Sequence, residues 1–377
     1  MRKIKSIKLK EPYLGITKVI GVIFCIFLGL FLFYCKQVSD LTKLGYSKEA
    51  SHNILFSFQK DYVLSVGENK TLNKAFESED FNEKYMDNYT KINYVPHEHL
   101  ISNINKLLKK GYSNNDINII LSHGSDDAVI RFIKRDKVKY LEEFFSVDYA
   151  KLDNYDRYVK YSDEMGEDEE ESVLAVNLDM DKEDYKDSYL VDKFSFDMLV
   201  NKHRSLSKDF TPDNLVKISL DDASESGMKC NKTALEAFTK MRKDAEKEGY
   251  EIIINSAYRS YQEQVDLSNL YLKYYGQNYV DKYLAKPGYS EHQTGLGFDI
   301  GSRKVNVFAN SKEYVWMQEN AYKYGFIQRF TKRDEDITGF NSEPWHYRYV
   351  GVEIAKYIYE HNNMSFEEYW AIYLDKR

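Results

Sequence analysis

Cysteine is scarce in this 377-residue chain: Cys25, Cys35 and Cys230 are all there is, and the first two lie in an apolar N-terminal run. A single thiol in the rest of the sequence allows neither an internal disulfide nor a Cys-x-x-Cys metal site. An excess of positive charge is missing too, since 53 Lys and Arg oppose 60 Asp and Glu for a net charge of −7. Without a chain-wide basic footprint, nucleic acid is not an expected partner. The 30% charged content and the mean hydropathy of −0.60 exclude a multi-span membrane protein. What is present is enough apolar material, 43% with 15% aromatic, to exclude wholesale disorder. At ~150 residues per domain the length allows two to three domains.

The N-terminus reads as an address. Arg2, Lys3, Lys5, Lys8, Lys10 and Lys18 form a basic tail over residues 1–18, followed by an uncharged run of Val, Ile, Phe and Leu over 19–35. A helix of that length reaches about 26 Å, slightly short of a ~30 Å hydrocarbon layer. Leu14 to Ile16 complete the span if Lys18 snorkels. The basic flank belongs on the cytoplasmic side, so the predicted arrangement is a single-pass membrane anchor with the rest of the chain outside. A cleaved signal peptide is the main alternative, but small residues of an A-x-A-like site are missing around Phe33, Tyr34 and Cys35. The bulky Tyr34 also fits a lipobox before Cys35 poorly.

Residues 36–160 read as a mostly helical stalk or accessory region. Leu44-Gly45-Tyr46-Ser47 and Lys110-Gly111-Tyr112-Ser113 each look like a helix stop at Gly and a restart at a Ser N-cap, 66 residues apart. Ser113 and Asp116 have capping-box spacing, and the two copies suggest duplicated helical hairpins. His97 and His99, after Pro96, read as solvated loop residues. Between Asp163 and Glu171 seven of nine residues are acidic, which marks 161–190 as a hydrated linker.

Over 191–377 the texture is that of an α+β domain. A strand-like Met198 to Val200 precedes an amphipathic helix from Lys232 with Ala234, Leu235, Phe238, Met241 and Ala245 on one face, stopped at Gly249. Ile252 to Ile254 predicts a strand, Ser260 caps a helix through Tyr275, and a third helix runs from Ser311 to Tyr324 before Gly325.

The chemistry concentrates in Ser290-Glu-His292-Gln-Thr-Gly295-Leu-Gly-Phe-Asp299 and, 44 residues later, Glu343-Pro-Trp-His346. Two imidazoles and a carboxylate, His292, Asp299 and His346, suit Zn²⁺ and leave a fourth position for water. Glu343 is the candidate general base. In an extended segment Glu343 and His346 do not share a face, so a turn at Pro344 is required to aim the carboxylate. Upstream, Arg259 in Ser256-Ala-Tyr258-Arg259-Ser-Tyr-Gln-Glu-Gln264 sits where a strand passes into a helix, a place to hold a carboxylate or a developing oxyanion. Trp345, Tyr258 and Tyr261 are candidates for the pocket wall.

Together, SAYRSYQEQ (256–264), SEHQTGLGFD (290–299) and EPWHYRYVG (343–351) resemble the three signatures of the VanY-type D-alanyl-D-alanine carboxypeptidases. These are zinc peptidases whose fold is shared with VanX dipeptidases and the hedgehog signalling domain. The resemblance spans about 200–360, roughly half the chain, and does not reach the helical repeats. It implies an α+β zinc peptidase domain with His292, Asp299 and His346 as zinc ligands and Glu343 as catalytic base. Arg259 is implied to bind and polarise the substrate, with Gln264, Ser290 and Tyr258 as further contacts. Gly297 stands where the family usually has Ala. The activity implied is metal-assisted removal of the terminal D-Ala from a peptidoglycan stem peptide, outside the cytoplasm. Three alternatives stay open: L,D-carboxypeptidase action, endopeptidase action on the same stems, and a non-catalytic wall-binding module.

Overall fold

In the computed structural model, which describes residues 11–375, the apolar run is the core of one long helix, α1 (Glu11–Lys43). Its side chains from Ile16 to Phe33 are exposed. Length and composition suffice for α1 to cross a membrane, and a signal sequence meets the same criterion. The basic residues from Arg2 to Lys10 lie outside the described residues.

The chain divides into two compact units that meet between Tyr155 and Asp156. The first is helical throughout its described length beyond α1. Both copies of the Gly-Tyr-Ser signal adopt the same local structure. Gly45 (φ 104°) and Gly111 (φ 87°) take the left-handed conformation that glycine tolerates best. Tyr46 and Tyr112 are buried, and Ser47 and Ser113 accept hydrogen bonds from the backbone of the helices Lys48–Phe56 and Asn114–His123. The second cap is a full capping box, with Asp116 returning a bond to the Ser113 backbone. His97, expected to be solvated, is instead enclosed between Asp126 and the Leu121 carbonyl, at 2.6 and 2.7 Å.

In the second unit, the acidic stretch falls at a helix junction. Asp168 caps the helix Glu169–Asn177, whose first turn holds three glutamates where the helix dipole favours negative charge, and Val173 and Val176 beyond them are buried. Residues 198–200 are buried but belong to no strand: an isolated bridge from Asn201 to Arg204 turns the chain there.

Helix α2 (Lys232–Lys247) is capped by the Asn231 side chain and buries Ala234, Phe238, Met241 and Ala245, the stripe expected of a helix lying on a sheet. It covers one face of a four-stranded antiparallel sheet formed by β1 (Ile252–Ser256), β2 (Gly297–Ser302), β3 (Phe326–Phe330) and β4 (Glu343–Tyr349), in spatial order β1-β2-β4-β3. Ile252, Ile254, Phe298, Ile300, Phe326 and Tyr347 pack with Phe238 and Met241 into a single core. Burying each such side chain is worth about 1.5–3 kcal/mol. Because strand side chains alternate, fixing Phe298, Ile300 and Tyr347 in this core turns Asp299 and His346 to the opposite face.

Between β1 and β2 run α3 (Tyr261–Tyr275), with Ser260 and Glu263 forming a capping box, and α4 (Gln277–Tyr283). The predicted third helix is split: an α-helix over Lys312–Asn320 tightens into a 3₁₀ turn, Ala321–Tyr324, ended by Gly325 in the left-handed conformation.

Candidate active site

The sheet face opposite α2 carries the site. Asp299 on β2 and His346 on β4 are direct cross-strand partners, which places their side chains next to one another. His292 comes from a short 3₁₀ turn, Glu291–Thr294, that leads into β2 through Gly295 (φ 69°). The turn is tied to the end of β1, since the Arg259 amide donates to the His292 carbonyl at 3.2 Å. His292 Nε2 lies 3.5 Å from Asp299 Oδ2 and His346 Nδ1 lies 3.0 Å from Asp299 Oδ1. One donor atom from each of the three residues fits within a sphere of mutual distances of 4.8 Å.

The other nitrogens of both rings have partners. His292 Nδ1 faces the Ala257 carbonyl at 2.6 Å, and His346 Nε2 faces Glu291 Oε2 at 3.3 Å. His292 is thereby left to offer Nε2, and His346 to offer Nδ1. Two imidazole nitrogens and one carboxylate oxygen, each ring steadied by a hydrogen bond on its far side, match what a tetrahedral zinc site with one open position needs.

Glu343 joins the cluster by a different route from the expected turn. Pro344 lies inside β4, and the pairing of β3 with β4 slips: Gln328 faces Tyr347 while Phe330 faces Glu343, so four steps on β4 match two on β3. This bulge absorbs the odd spacing and brings Glu343 Oε2 to 4.0 Å from His346 Nδ1. It also accommodates a proline in an interior strand.

Charge in this enclosed space is strongly perturbed. Burial, reinforced by Asp299 and Glu291, pushes the Glu343 carboxyl up to about 8 against the pull of His346 and Arg259. For His346 burial works against charge, yet its bonds to Asp299 and Glu291 prevail and raise it to about 9. Burial lowers His292 below its ordinary value. Asp299 stays far below the usual carboxylate range because His292 and His346 outweigh its own burial.

A cavity of about 230 Å³ opens onto these groups, lined also by Arg259, Gln264, Ser290, Trp345 and four tyrosines, Tyr271, Tyr279, Tyr283 and Tyr289. Arg259 donates to Gln264 Oε1 at 2.7 Å and to Ser256 Oγ at 3.1 Å, while Gln264 Nε2 donates to the Ala285 carbonyl at 2.7 Å. Gln264 therefore acts directly on Arg259. Ser290 caps the turn through the His292 amide. Tyr258 lines an adjoining groove together with Lys229, Glu263 and Asp266. The tyrosines on α3 and α4 had no motif to mark them. Their spacing at 271, 275, 279 and 283 is a signal, and they form a continuous ring contact series with centroids 4.7 to 5.4 Å apart. Gly297 faces the backbone of Glu291, where a methyl group would meet atoms at 3.3 Å, so alanine would require a shift of a few tenths of an ångström.

Residues 227–352 match the family model for VanY, D-alanyl-D-alanine carboxypeptidase. Over 180 residues, 46% of this chain, it is 41% identical to YodJ of Bacillus subtilis (strain 168) and 34% identical to a D-alanyl-D-alanine carboxypeptidase of Enterococcus faecium. These matches cover 66% and 56% of those two proteins, so the chain spans about half to two thirds of their length. It is 32% identical to the bifunctional D-Ala-D-Ala dipeptidase and carboxypeptidase VanXYC of Enterococcus gallinarum, covering 42% of this chain and 86% of that protein. A solved D,D-pentapeptidase VanY from a VanB-type resistance cassette, in complex with Zn(II), is 30% identical, with coverage of 46% of this chain and 99% of that one and a TM-score of 0.42. With the three motifs inside the matched segment and most of VanXYC covered at this identity, the chain belongs to the VanY D-alanyl-D-alanine carboxypeptidase family.

Proposed function

We propose that the second unit is a zinc carboxypeptidase that removes the terminal D-Ala from peptidoglycan stem peptides. The observation that carries this reading is the convergence of His292, Asp299 and His346 with Glu343 Oε2 only 4.0 Å from His346 Nδ1, at the floor of a cavity. A bound zinc supplies Lewis acidity to the scissile carbonyl and acidity to water. Glu343 takes a proton from the attacking water and returns one to the departing amine. Arg259, steered by Gln264 and Ser256, holds the substrate's terminal carboxylate through charge-assisted hydrogen bonds. Trp345 and the tyrosines of α3 and α4 exclude water around the terminal residue.

The anchor reading supports the same function. With a basic tail before α1, the helix is assigned as a single-pass anchor and the enzyme faces the cell wall, with the helical first unit as an accessory region. The test is to incubate the full chain with zinc and synthetic pentapeptide and tetrapeptide stems and weigh the products. Release of one D-Ala from the pentapeptide is expected. Trimming of the tetrapeptide alone moves the reading to L,D-carboxypeptidase action, and intact peptides in the presence of bound zinc overturn it.

A further inference from the structure

We propose that Glu291 is a positioning residue that sets which nitrogen of His346 meets the metal. The inference rests on the zinc reading of His292, Asp299 and His346, and deepens it. Glu291 is buried, one residue before His292, and its two oxygens face in different directions. Oε1 accepts from Arg329 Nε at 2.8 Å and from Arg348 Nη1 at 3.2 Å. Oε2 remains and is turned to His346 Nε2 at 3.3 Å.

A carboxylate there accepts a hydrogen bond from Nε2–H, which keeps the proton on Nε2 and leaves the Nδ1 lone pair directed at Asp299 and the site. The arginines keep the carboxylate in that orientation. Arg348 is fixed by the carbonyls of Phe196, Met198 and Tyr349, and Arg329 by Glu367 at 2.7 Å. The sheet contributes as well, because His346 and Arg348 are two apart on β4 and project to the same face. Removing charged groups from water is costly, and a simple pairing of arginine with carboxylate would satisfy Oε1 alone. The remaining oxygen, aimed at a ring nitrogen on the far side from Asp299, is what points to a metal-directed role.

Glu291→Gln is the informative change. The arginines would capture the amide oxygen, so the NH₂ group would face His346 Nε2 and favour the ring with its proton on Nδ1, the wrong nitrogen for the site. Zinc affinity of the full chain, measured by competition with a chromogenic chelator, is expected to weaken about 10- to 100-fold. Asp222→Asn weakens a different buried ion pair, Asp222 with Arg242 at 2.6 Å, and is expected to lower the melting temperature while leaving zinc affinity within about twofold. Equal losses of affinity in both variants, or none in Glu291→Gln, overturn the proposal.

A second measurement needs no variant. In the zinc-loaded chain, ¹⁵N spectra of the histidines are expected to show His346 bound through Nδ1 with a protected proton on Nε2. Zinc on Nε2 of His346 overturns the proposal with the metal site intact. Failure of the unmodified chain to take up zinc overturns the metal reading itself, and this proposal with it.

Discussion

The buried polar residues of the two units differ in kind. In the first unit they are, among the described residues, Ser51, Thr71 and Asn103, all uncharged, and Ser51 and Asn103 bond backbone carbonyls of their own helical surroundings. In the second, charged groups are buried at several places, among them Asp179 with Arg204 and Asp222, paired with Arg242, and the densest set, Glu291, His292, Arg329, Glu343, His346, Arg348 and Glu367, lines or adjoins one side of one sheet. Taking an ion out of water costs several kcal/mol even after relaxation, so a fold concentrates charge where chemistry requires it. One unit spends its polar groups on helix ends. The other gathers its densest set of them at one site.

The sharpest way to break this contrast is to remove a ligand. His292→Ala is expected to lose its zinc on dialysis and to abolish D-Ala release, while far-ultraviolet circular dichroism still reports the helices of the first unit. Undiminished zinc content contradicts the assignment. Glu343→Ala is expected to keep zinc and lose roughly 10²- to 10⁴-fold in kcat. Arg259→Met should retain zinc and lose about 10²-fold in kcat/KM, since the carboxylate of the substrate loses its charged partner.

A smaller effect comes from protons. In metal-stripped protein His346 is raised from 6.5 to about 9 and Glu343 from 4.5 to about 8, so the folded chain holds protons that the unfolded chain releases. Stability from these groups is complete below their unfolded values, 4.5 and 6.5, and is lost progressively as pH rises from there to about 8 and 9. The melting temperature of the stripped second unit should fall over that window. Zinc, by competing for the same nitrogen of His346, should remove the fall. The smallest effect belongs to the first unit: Ser113→Ala breaks its capping box, at a cost of about 1 kcal/mol, and is expected to leave kcat unchanged.

The readable parts of the fold were those governed by local rules. The Ser260 and Ser113 caps, the buried stripe of α2 and the left-handed Gly325 follow from short-range patterns and appear where those patterns place them. That His292, Asp299 and His346 come together was legible because they sit in motifs of distinctive order. What sequence could not reveal was set by pairing between distant strands. The slip between β3 and β4 brings Glu343 beside His346 without a turn at Pro344; that proline marks an irregularity but does not say that it takes the form of two extra positions. Glu291 was hidden for the same reason: its partners Arg329 and Arg348 are remote in sequence and meet it only across the sheet. Met198 to Val200 read as a strand because apolar content alone does not distinguish an extended buried segment from a paired one.

The central claim is that four side chains from separate parts of the chain surround one divalent ion with a position left for water. Zinc K-edge X-ray absorption on the loaded full chain tests it most directly. The expected spectrum is that of one four-coordinate zinc with light-atom ligands at about 2.0–2.2 Å, two of them imidazole, and with imidazole scattering halved in His292→Ala protein reloaded at high zinc. A sulfur shell at about 2.3 Å, or an unchanged imidazole signal in that variant, would contradict it.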